Sequence, residues 1–309
     1  MKRRRLATEG YEVRDVTSKI RKVVFPVAGL GSRFLPATKS IPKEMLPIVD
    51  RPLIDYAVEE ARQAGIEHFI FITGRGKGAI EDYFDHAFEL ETTLSERSKK
   101  EALDVLSTTQ LRHGAASFVR QQQPLGLGHA IWCARDIIGD DPFAVILPDE
   151  MVRHERGCLA QMVDAWNEKG GNIVAVAEVP DDQTFQYGIV APGVDDGRVA
   201  EVKGLVEKPA AGTAPSNLAM TGRYILSPEV FEKLKEGNLG AGGEIQLTDA
   251  MAETIGNVPF HAVRFEGERF DCGDKAGYLA ANLAYGLARE DIGPRLVELM
   301  PQLNNDLKS

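Results

Sequence analysis

Four unbroken apolar runs limit what this chain can fold into. Residues 23–28, 69–72, 143–147 and 173–177 are β-branched, aromatic or otherwise apolar, with no polar residue at alternate positions. A strand with one wet face alternates; a run that is apolar throughout is buried on both faces, as in a sheet covered by helices on two sides. The intervening segments supply such helices. Residues 53–61 are apolar at 53, 54, 57, 58 and 61, a single stripe at helical spacing, and Gly65 stops the pattern. Residues 129–138 and 159–166 read as two more helices. Strand alternating with helix predicts βαβ units, hence a Rossmann-like α/β fold with a mixed, largely parallel sheet flanked by helices.

Composition removes whole classes of function. Among 309 residues, 36 Lys and Arg face 46 Asp and Glu, a net charge of −10. So acidic a chain lacks the basic face that displaces counterions from nucleic acid. Its 43% hydrophobic content is that of a globular protein, not of a disordered polyanion. Cys133, Cys158 and Cys272 are far apart, which excludes a Cys-x-x-Cys cluster and suits a reducing compartment. No apolar run nears the roughly 20 residues that cross a bilayer. The basic start Met1-Lys2-Arg3-Arg4-Arg5 runs into Ala7-Thr8-Glu9-Gly10 where a signal peptide needs its apolar stretch. The expectation is a cytoplasmic protein with neither nucleic acid nor membrane as partner.

Residues 1–20 are polar and aperiodic and read as a mobile tail. Residues 21–290 read as one domain: a first part to about residue 180, then a smaller subregion over 181–274 with shorter strands around 187–190 and 218–220. A helix over 275–290 closes it, with Leu279, Leu283 and Leu287 along one stripe, and 291–309 form a C-terminal tail. The charged stretch between about 90 and 112 breaks the strand rhythm and reads as an exposed helix or excursion.

The first strand empties into Ala28-Gly29-Leu30-Gly31-Ser32-Arg33-Phe34. Glycines after a strand let backbone N–H groups approach an anion closely. The third glycine of a dinucleotide fingerprint is missing, since Phe34 stands there, and no Gly-Lys-Ser/Thr follows. Instead Arg33 lies in the loop, and Lys43 follows within Ile41-Pro42-Lys43-Glu44-Met45-Leu46-Pro47, stiffened by its two prolines. A fork of donors and a compact charge on fixed loops suit a triphosphate.

These two segments, the first running on through Leu35-Pro36-Ala37-Thr38-Lys39, resemble the signature of the sugar-nucleotide pyrophosphorylases, specifically the uridylyl-transferring branch. The similarity continues through Gly126-Leu127-Gly128-His129-Ala130, Leu147-Pro148-Asp149, Tyr187-Gly188, Val206-Glu207-Lys208-Pro209 and Phe270-Asp271-Cys272-Gly273, in order over roughly residues 22–290. The resemblance implies a nucleotide-diphospho-sugar transferase fold, with 21–180 binding nucleotide and 181–274 binding sugar. It implies that UTP and glucose 1-phosphate become UDP-glucose and pyrophosphate, in a homo-oligomer (dimer or tetramer). Arg33 and Lys43 would be the catalytic cations and Asp149 and Asp271 the ligands of Mg²⁺. Ala28, Gly29, Leu30, Gly31, Gln121 and Gly126 would bind nucleotide; Gly188, Glu207 and Lys208 would bind the sugar phosphate.

Spacing to Gly126 selects Gln121 as the base reader, with Gln122 and Gln123 as neighbouring alternatives. Thr221-Gly222 is a further candidate for the sugar pocket. His129 reads as a packing or hydrogen-bonding residue at a helix start rather than an acid or base. Glu150, beside a metal aspartate, has no assigned role. Two alternatives stand: a thymidylyltransferase or other sugar-1-phosphate nucleotidyltransferase, and a non-catalytic sugar-nucleotide sensor.

Overall fold

The computed structural model describes residues 19–306, so most of the expected N-terminal tail lies outside the described residues. The end of that expectation needs correction, because Ile20 is buried in the core. The strands are β1 (Lys22–Pro26), β2 (Pro47–Ile48), β3 (Arg51–Pro52), β4 (His68–Thr73), β5 (Ala116–Arg120), β6 (Phe143–Ile146) and β7 (Glu150–Arg153). They continue as β8 (Asn172–Glu178), β9 (Gly188–Asp195), β10 (Val199–Glu207), β11 (Leu218–Leu226), β12 (Phe260–Arg264) and β13 (Glu268–Asp271).

The helices are α1 (Leu53–Gln63), α2 (Gly78–Phe84), α3 (Phe88–Glu96), α4 (Lys100–Thr109), α5 (Leu127–Trp132) and α6 (Arg135–Ile138). After these come α7 (Cys158–Lys169), α8 (Val230–Lys235), α9 (Leu247–Ala252), α10 (Lys275–Leu287) and α11 (Gly293–Asp306). The single helix expected over 129–138 is thus two. The charged excursion is the pair α3 and α4, in which no residue is buried. The segment read as a C-terminal tail carries α11, whose Leu296 lies against Gly286 of α10.

Nine strands form one sheet in the order β5-β4-β1-β6-β11-β8-β12-β10-β9. β5, β4, β1 and β6 are parallel, as the βαβ reading requires. Beyond β6 the expectation of a largely parallel sheet fails. β11 runs antiparallel to β6 and β8, β10 runs antiparallel to β12 and β9, and only β12 lies parallel to β8. For β9 and β10 the reason is connection length: a parallel neighbour needs a long crossover, whereas β9 turns directly into β10, and a tight turn can only return antiparallel. Nor are the later strands short. β10 and β11 have 9 residues each, and all of β11 is buried because it sits in mid-sheet.

The apolar runs explain the layering. Alternate side chains of a strand point to opposite faces. Val24 joins Ile131, Ile138 and Phe231 on one face, while Val23 and Phe25 join Ile54, Val58, Leu159 and Met162 on the other. Phe25 stacks on Phe71 with centroids 5.1 Å apart. Each fully buried side chain of this size stabilises the fold by about 1.5–3 kcal/mol. Separately, β7 and β13 pair antiparallel as a two-strand ribbon that sets Asp271 opposite Glu150.

Candidate active site

The parallel strands β1, β4 and β5 end at one edge, and their following loops face each other there. This is where open α/β sheets bind ligands. Val27 N–H donates to the Ile72 carbonyl at 2.9 Å, and Gln121 N–H to the Thr73 carbonyl at 2.8 Å, tying the three exits together. Between them lies a cavity of about 360 Å³ lined by Ala28, Gly29, Leu30, Thr38, Pro42, Gly74, Lys77 and Gln121. Gly31 lies just behind it, its carbonyl accepting from the Thr38 hydroxyl at 2.7 Å.

Of the three consecutive glutamines only Gln121 is buried. Its Nε2 donates to the Gly126 carbonyl at 3.1 Å and faces His129 Nδ1 at 3.0 Å, which leaves Oε1 to accept from an incoming group. Burial lowers the His129 pKa, so the imidazole is neutral and accepts that bond. Gly126 has φ 105°, and a Cβ there would lie 2.7 Å from Glu244 Cβ. Only glycine fits a position both left-handed and pressed by a neighbouring segment.

The segment Gly74-Arg75-Gly76-Lys77 forms the opposite wall of the cavity and was missed in the sequence. Its signal was present, since it repeats the pattern of glycines directly after an apolar strand.

Lys43 opens a single 3-10 turn, Lys43–Met45. With about three residues per turn, neighbouring side chains diverge. Glu44 goes inward to a buried ion pair with Lys77 at 2.8 Å, and Lys43 faces the cleft, where Nζ meets Asp149 Oδ2 at 2.5 Å. Burial disfavours ionisation of Asp149, but Lys43 outweighs it and holds the carboxyl below the usual range. Burial likewise opposes the charge on Lys43, and Asp149 raises its pKa in spite of that.

Cys272 N–H donates to the Asp149 carbonyl at 2.7 Å, drawing the end of β13 against the turn after β6. At Gly273 the groups converge: a Cβ there would lie 3.0 Å from Asp271 Oδ1, 3.1 Å from Asp149 Oδ2 and 3.2 Å from Arg33 Nη1. Arg33 Nη1 donates to the Gly273 carbonyl at 3.3 Å. Sequence spacing alone could not bring Asp149 and Asp271 together; the β7–β13 ribbon does. Among the described residues no group of three or more His, Cys, Asp or Glu forms a metal cage, so any cation here would depend on two carboxylates and its substrates. Burial, with both aspartates nearby, pushes the Cys272 thiol up to about 12, which keeps it protonated.

Glu150 is fully engaged: Arg269 donates to it twice, at 2.8 and 2.9 Å. Arg223 was also missed, although a lone charged residue inside the mostly apolar run of β11 was a visible irregularity. It is 2% exposed, pairs with buried Glu60 at 2.7 Å, and donates to the carbonyls of Leu147 and Glu150. Those carbonyls flank Asp149.

At the far end Gly188 of β9 stands opposite Glu207 of β10. A Cβ at Gly188 would collide with Met220 Cε and lie 3.0 Å from Glu207 Oε2, so a side chain there would fill the space beside the carboxylate. Thr248 Oγ1 donates to Glu207 Oε2 at 2.6 Å. Lys208 has φ 45° and carries Nζ 3.8 Å from Glu207 Oε1. Thr221, by contrast, is buried and donates to the Ala175 carbonyl at 3.2 Å, so its hydroxyl braces the sheet instead of lining a pocket.

The same architecture occurs in characterised proteins. The nucleotidyl transferase family model matches residues 22–286. A UTP–glucose-1-phosphate uridylyltransferase of Komagataeibacter xylinus is 56% identical over 256 residues, covering 83% of this chain and 90% of the relative. The enzyme of the same description from Bacillus subtilis is 48% identical over 287 residues, covering 93% and 98%. A UTP-bound UGPase structure from Acinetobacter baumannii superposes with TM-score 0.85 at 45% identity, over 92% of this chain and 99% of that one. A UDP-glucose pyrophosphorylase complexed with UDP-glucose gives TM-score 0.79 at 44% identity, over 87% and 100%. A family match across nearly the whole described fold and relatives of this identity lead to one conclusion: the chain belongs to the nucleotidyl transferase family.

Proposed function

We infer that this chain transfers the uridylyl group of UTP to glucose 1-phosphate. A phosphate oxygen of the sugar phosphate bonds to the α-phosphorus of UTP. The bond from that phosphorus to the bridging oxygen breaks, and pyrophosphate leaves with the electron pair, giving UDP-glucose. The observation that carries the reading is the meeting of Arg33, Asp149 and Asp271 beside Gly273, with Lys43 on Asp149 and a nucleotide-sized cavity lined by the loops after β1, β4 and β5. Relatives bound to UTP and to UDP-glucose support the same pair of ligands.

In such a transfer no protein nucleophile is needed; two anions must be held in line and their growing charge neutralised. Gln121 Oε1 accepts from the pyrimidine edge, and the backbone of Ala28, Gly29, Leu30 and Gly31 approaches the phosphates. Arg33 holds the leaving phosphates, and Lys43 steadies the α-phosphate and the attacking phosphate. Glu207 accepts from sugar hydroxyls, Gly188 leaves room for the hexose, and Lys208 approaches its phosphate. Asp149 and Asp271 offer hard oxygens and no soft donor, which fits Mg²⁺. Bound there, Mg²⁺ supplies charge neutralisation on the phosphates.

Among the described residues no helix is long and apolar enough to cross a membrane. Both substrates are water-soluble anions, and the enzyme works on them in the cytoplasm. Leu279, Leu283 and Leu287 of α10 are exposed along one stripe and serve a homo-oligomeric contact.

The test is pyrophosphate release from glucose 1-phosphate and Mg²⁺ with UTP or dTTP. Turnover with UTP well above dTTP is expected. Faster turnover with dTTP would make the chain a thymidylyltransferase; tight UDP-glucose binding without turnover would make it a sensor.

A further inference from the structure

Arg269 joins the strand ends that carry Asp149 and Asp271 to the neighbourhood of Gly188 and Glu207. It lies on β13 two residues before Asp271, and its guanidinium makes a two-point fork onto Glu150, the residue after Asp149. Both side chains are mostly buried, at 17% and 15% exposure. The same guanidinium lies 5.2 Å from the centroid of the Tyr187 ring. Tyr187 precedes Gly188, and its carbonyl accepts from Lys208 N–H at 3.0 Å. Through one side chain, the strand ends that carry both aspartates thus reach the residues flanking Gly188 and Glu207.

The chemistry of the fork makes the bridge stiff. A bidentate Arg–carboxylate pair fixes orientation as well as distance, and a planar cation over an aromatic face adds a second plane of contact. Glu150 uses both oxygens in the fork and therefore anchors Arg269.

We propose that Arg269 is a positioning residue that sets the sugar-phosphate half of the cleft against the Asp149–Asp271 carboxylates, with Glu150 as its anchor. The proposal rests on the function inferred above. It assigns no contact with the reacting atoms. Its effect falls on alignment: displacing one reactant by about 1 Å costs on the order of a hundredfold in rate. Losing the bridge should be felt mainly by the reactant held at the Tyr187–Gly188 end.

The experiment is a double-mutant cycle of Arg269→Gln and Glu150→Gln, with KM and kcat measured for each substrate and midpoints from an Mg²⁺ titration. Each single variant is expected to lower kcat/KM for glucose 1-phosphate on the order of tenfold to a hundredfold. KM for UTP should stay within about twofold, and the double variant should be no worse than either single, because both break one unit. Multiplying effects, an unchanged kcat/KM for glucose 1-phosphate, or a KM for UTP that rises well beyond twofold would overturn the proposal. So would a weaker Mg²⁺ midpoint in Glu150→Gln with none in Arg269→Gln, since that makes Glu150 a metal ligand. If Arg269→Gln melts early, Arg269→Lys keeps the charge without the fork and faces the same criteria. Wild-type protein that fails to turn over UTP and glucose 1-phosphate would sink the inferred function itself, an outcome distinct from all of these.

Discussion

Both ends of the cleft rest on a buried ion pair, yet the two pairs are built differently. At the nucleotide end Lys77 and Glu44 are 33 residues apart and join two loops that follow neighbouring parallel strands. At the carboxylate end Arg223 and Glu60 are 163 residues apart and join mid-sheet β11 to α1, across the strands that carry the metal-binding candidates. One end is a product of local loops on a parallel half-sheet. The other exists only when distant antiparallel strands have come together. The nucleotide end can therefore be altered with the fold intact, whereas the carboxylate end is part of the fold's own bracing.

The largest effect is expected of Arg223→Met. The substitution leaves the buried Glu60 carboxyl without its cation, its Oε1 still accepting from Leu159 N–H at 3.0 Å. Removing one partner of a buried pair costs about 3–5 kcal/mol. Urea denaturation should show a loss of this size, with part recovered in the double variant Glu60→Leu/Arg223→Met. An unchanged midpoint would mean that Arg223 braces nothing.

Next in size is Lys43→Ala, whose expected effect is on rate. Loss of one fixed donor to developing phosphate charge costs about 10²–10³-fold in kcat, or roughly 3–4 kcal/mol. Lys43 and Asp149 are partly exposed and Lys43 forms no part of a core cluster, so the denaturation midpoint should fall by much less than in Arg223→Met. If Lys43→Ala were as unstable as Arg223→Met, the proposed split between a working end and a bracing end would collapse.

The same division explains what the sequence disclosed. The loops of the nucleotide end are contiguous, so Ala28-Gly29-Leu30-Gly31 and Pro42-Lys43 could be recognised directly, and the strands beneath them announced themselves by apolar runs. Asp149 and Asp271 stood out only through resemblance, because the β7–β13 pairing that unites them is a long-range event. Arg223, Glu60 and Arg269 were invisible as partners, since nothing local says which distant carboxylate an arginine will meet. Strand direction beyond β6 was misjudged for a related reason. An apolar run reports burial on both faces but not which way its neighbour runs.

The smallest expected effect sharpens the nucleotide end to a single side chain. Gln121→Leu removes the acceptor proposed for the base and leaves the His129 ring without its donor. KM for UTP should rise about tenfold, equivalent to about 1.4 kcal/mol, within the range for a lost hydrogen bond. KM for glucose 1-phosphate should not move, because Gln121 lines the cavity of the β1, β4 and β5 loops, where its side chain meets Gly126 and His129 rather than Gly188, Glu207 or Lys208. Gln122→Leu, at an exposed position, should change neither. The wild type carries its own control in pH. Burial holds the His129 pKa below the ordinary imidazole value of 6.5, so the ring remains an acceptor for Gln121 through neutrality. Only below that value does protonation turn Nδ1 into a donor facing the Nε2 donor, which pushes Gln121 out of place. KM for UTP should therefore be flat near pH 7 and climb only in acid, and Gln121→Leu should abolish the climb. A climb that survives the substitution would assign the base contact to another group.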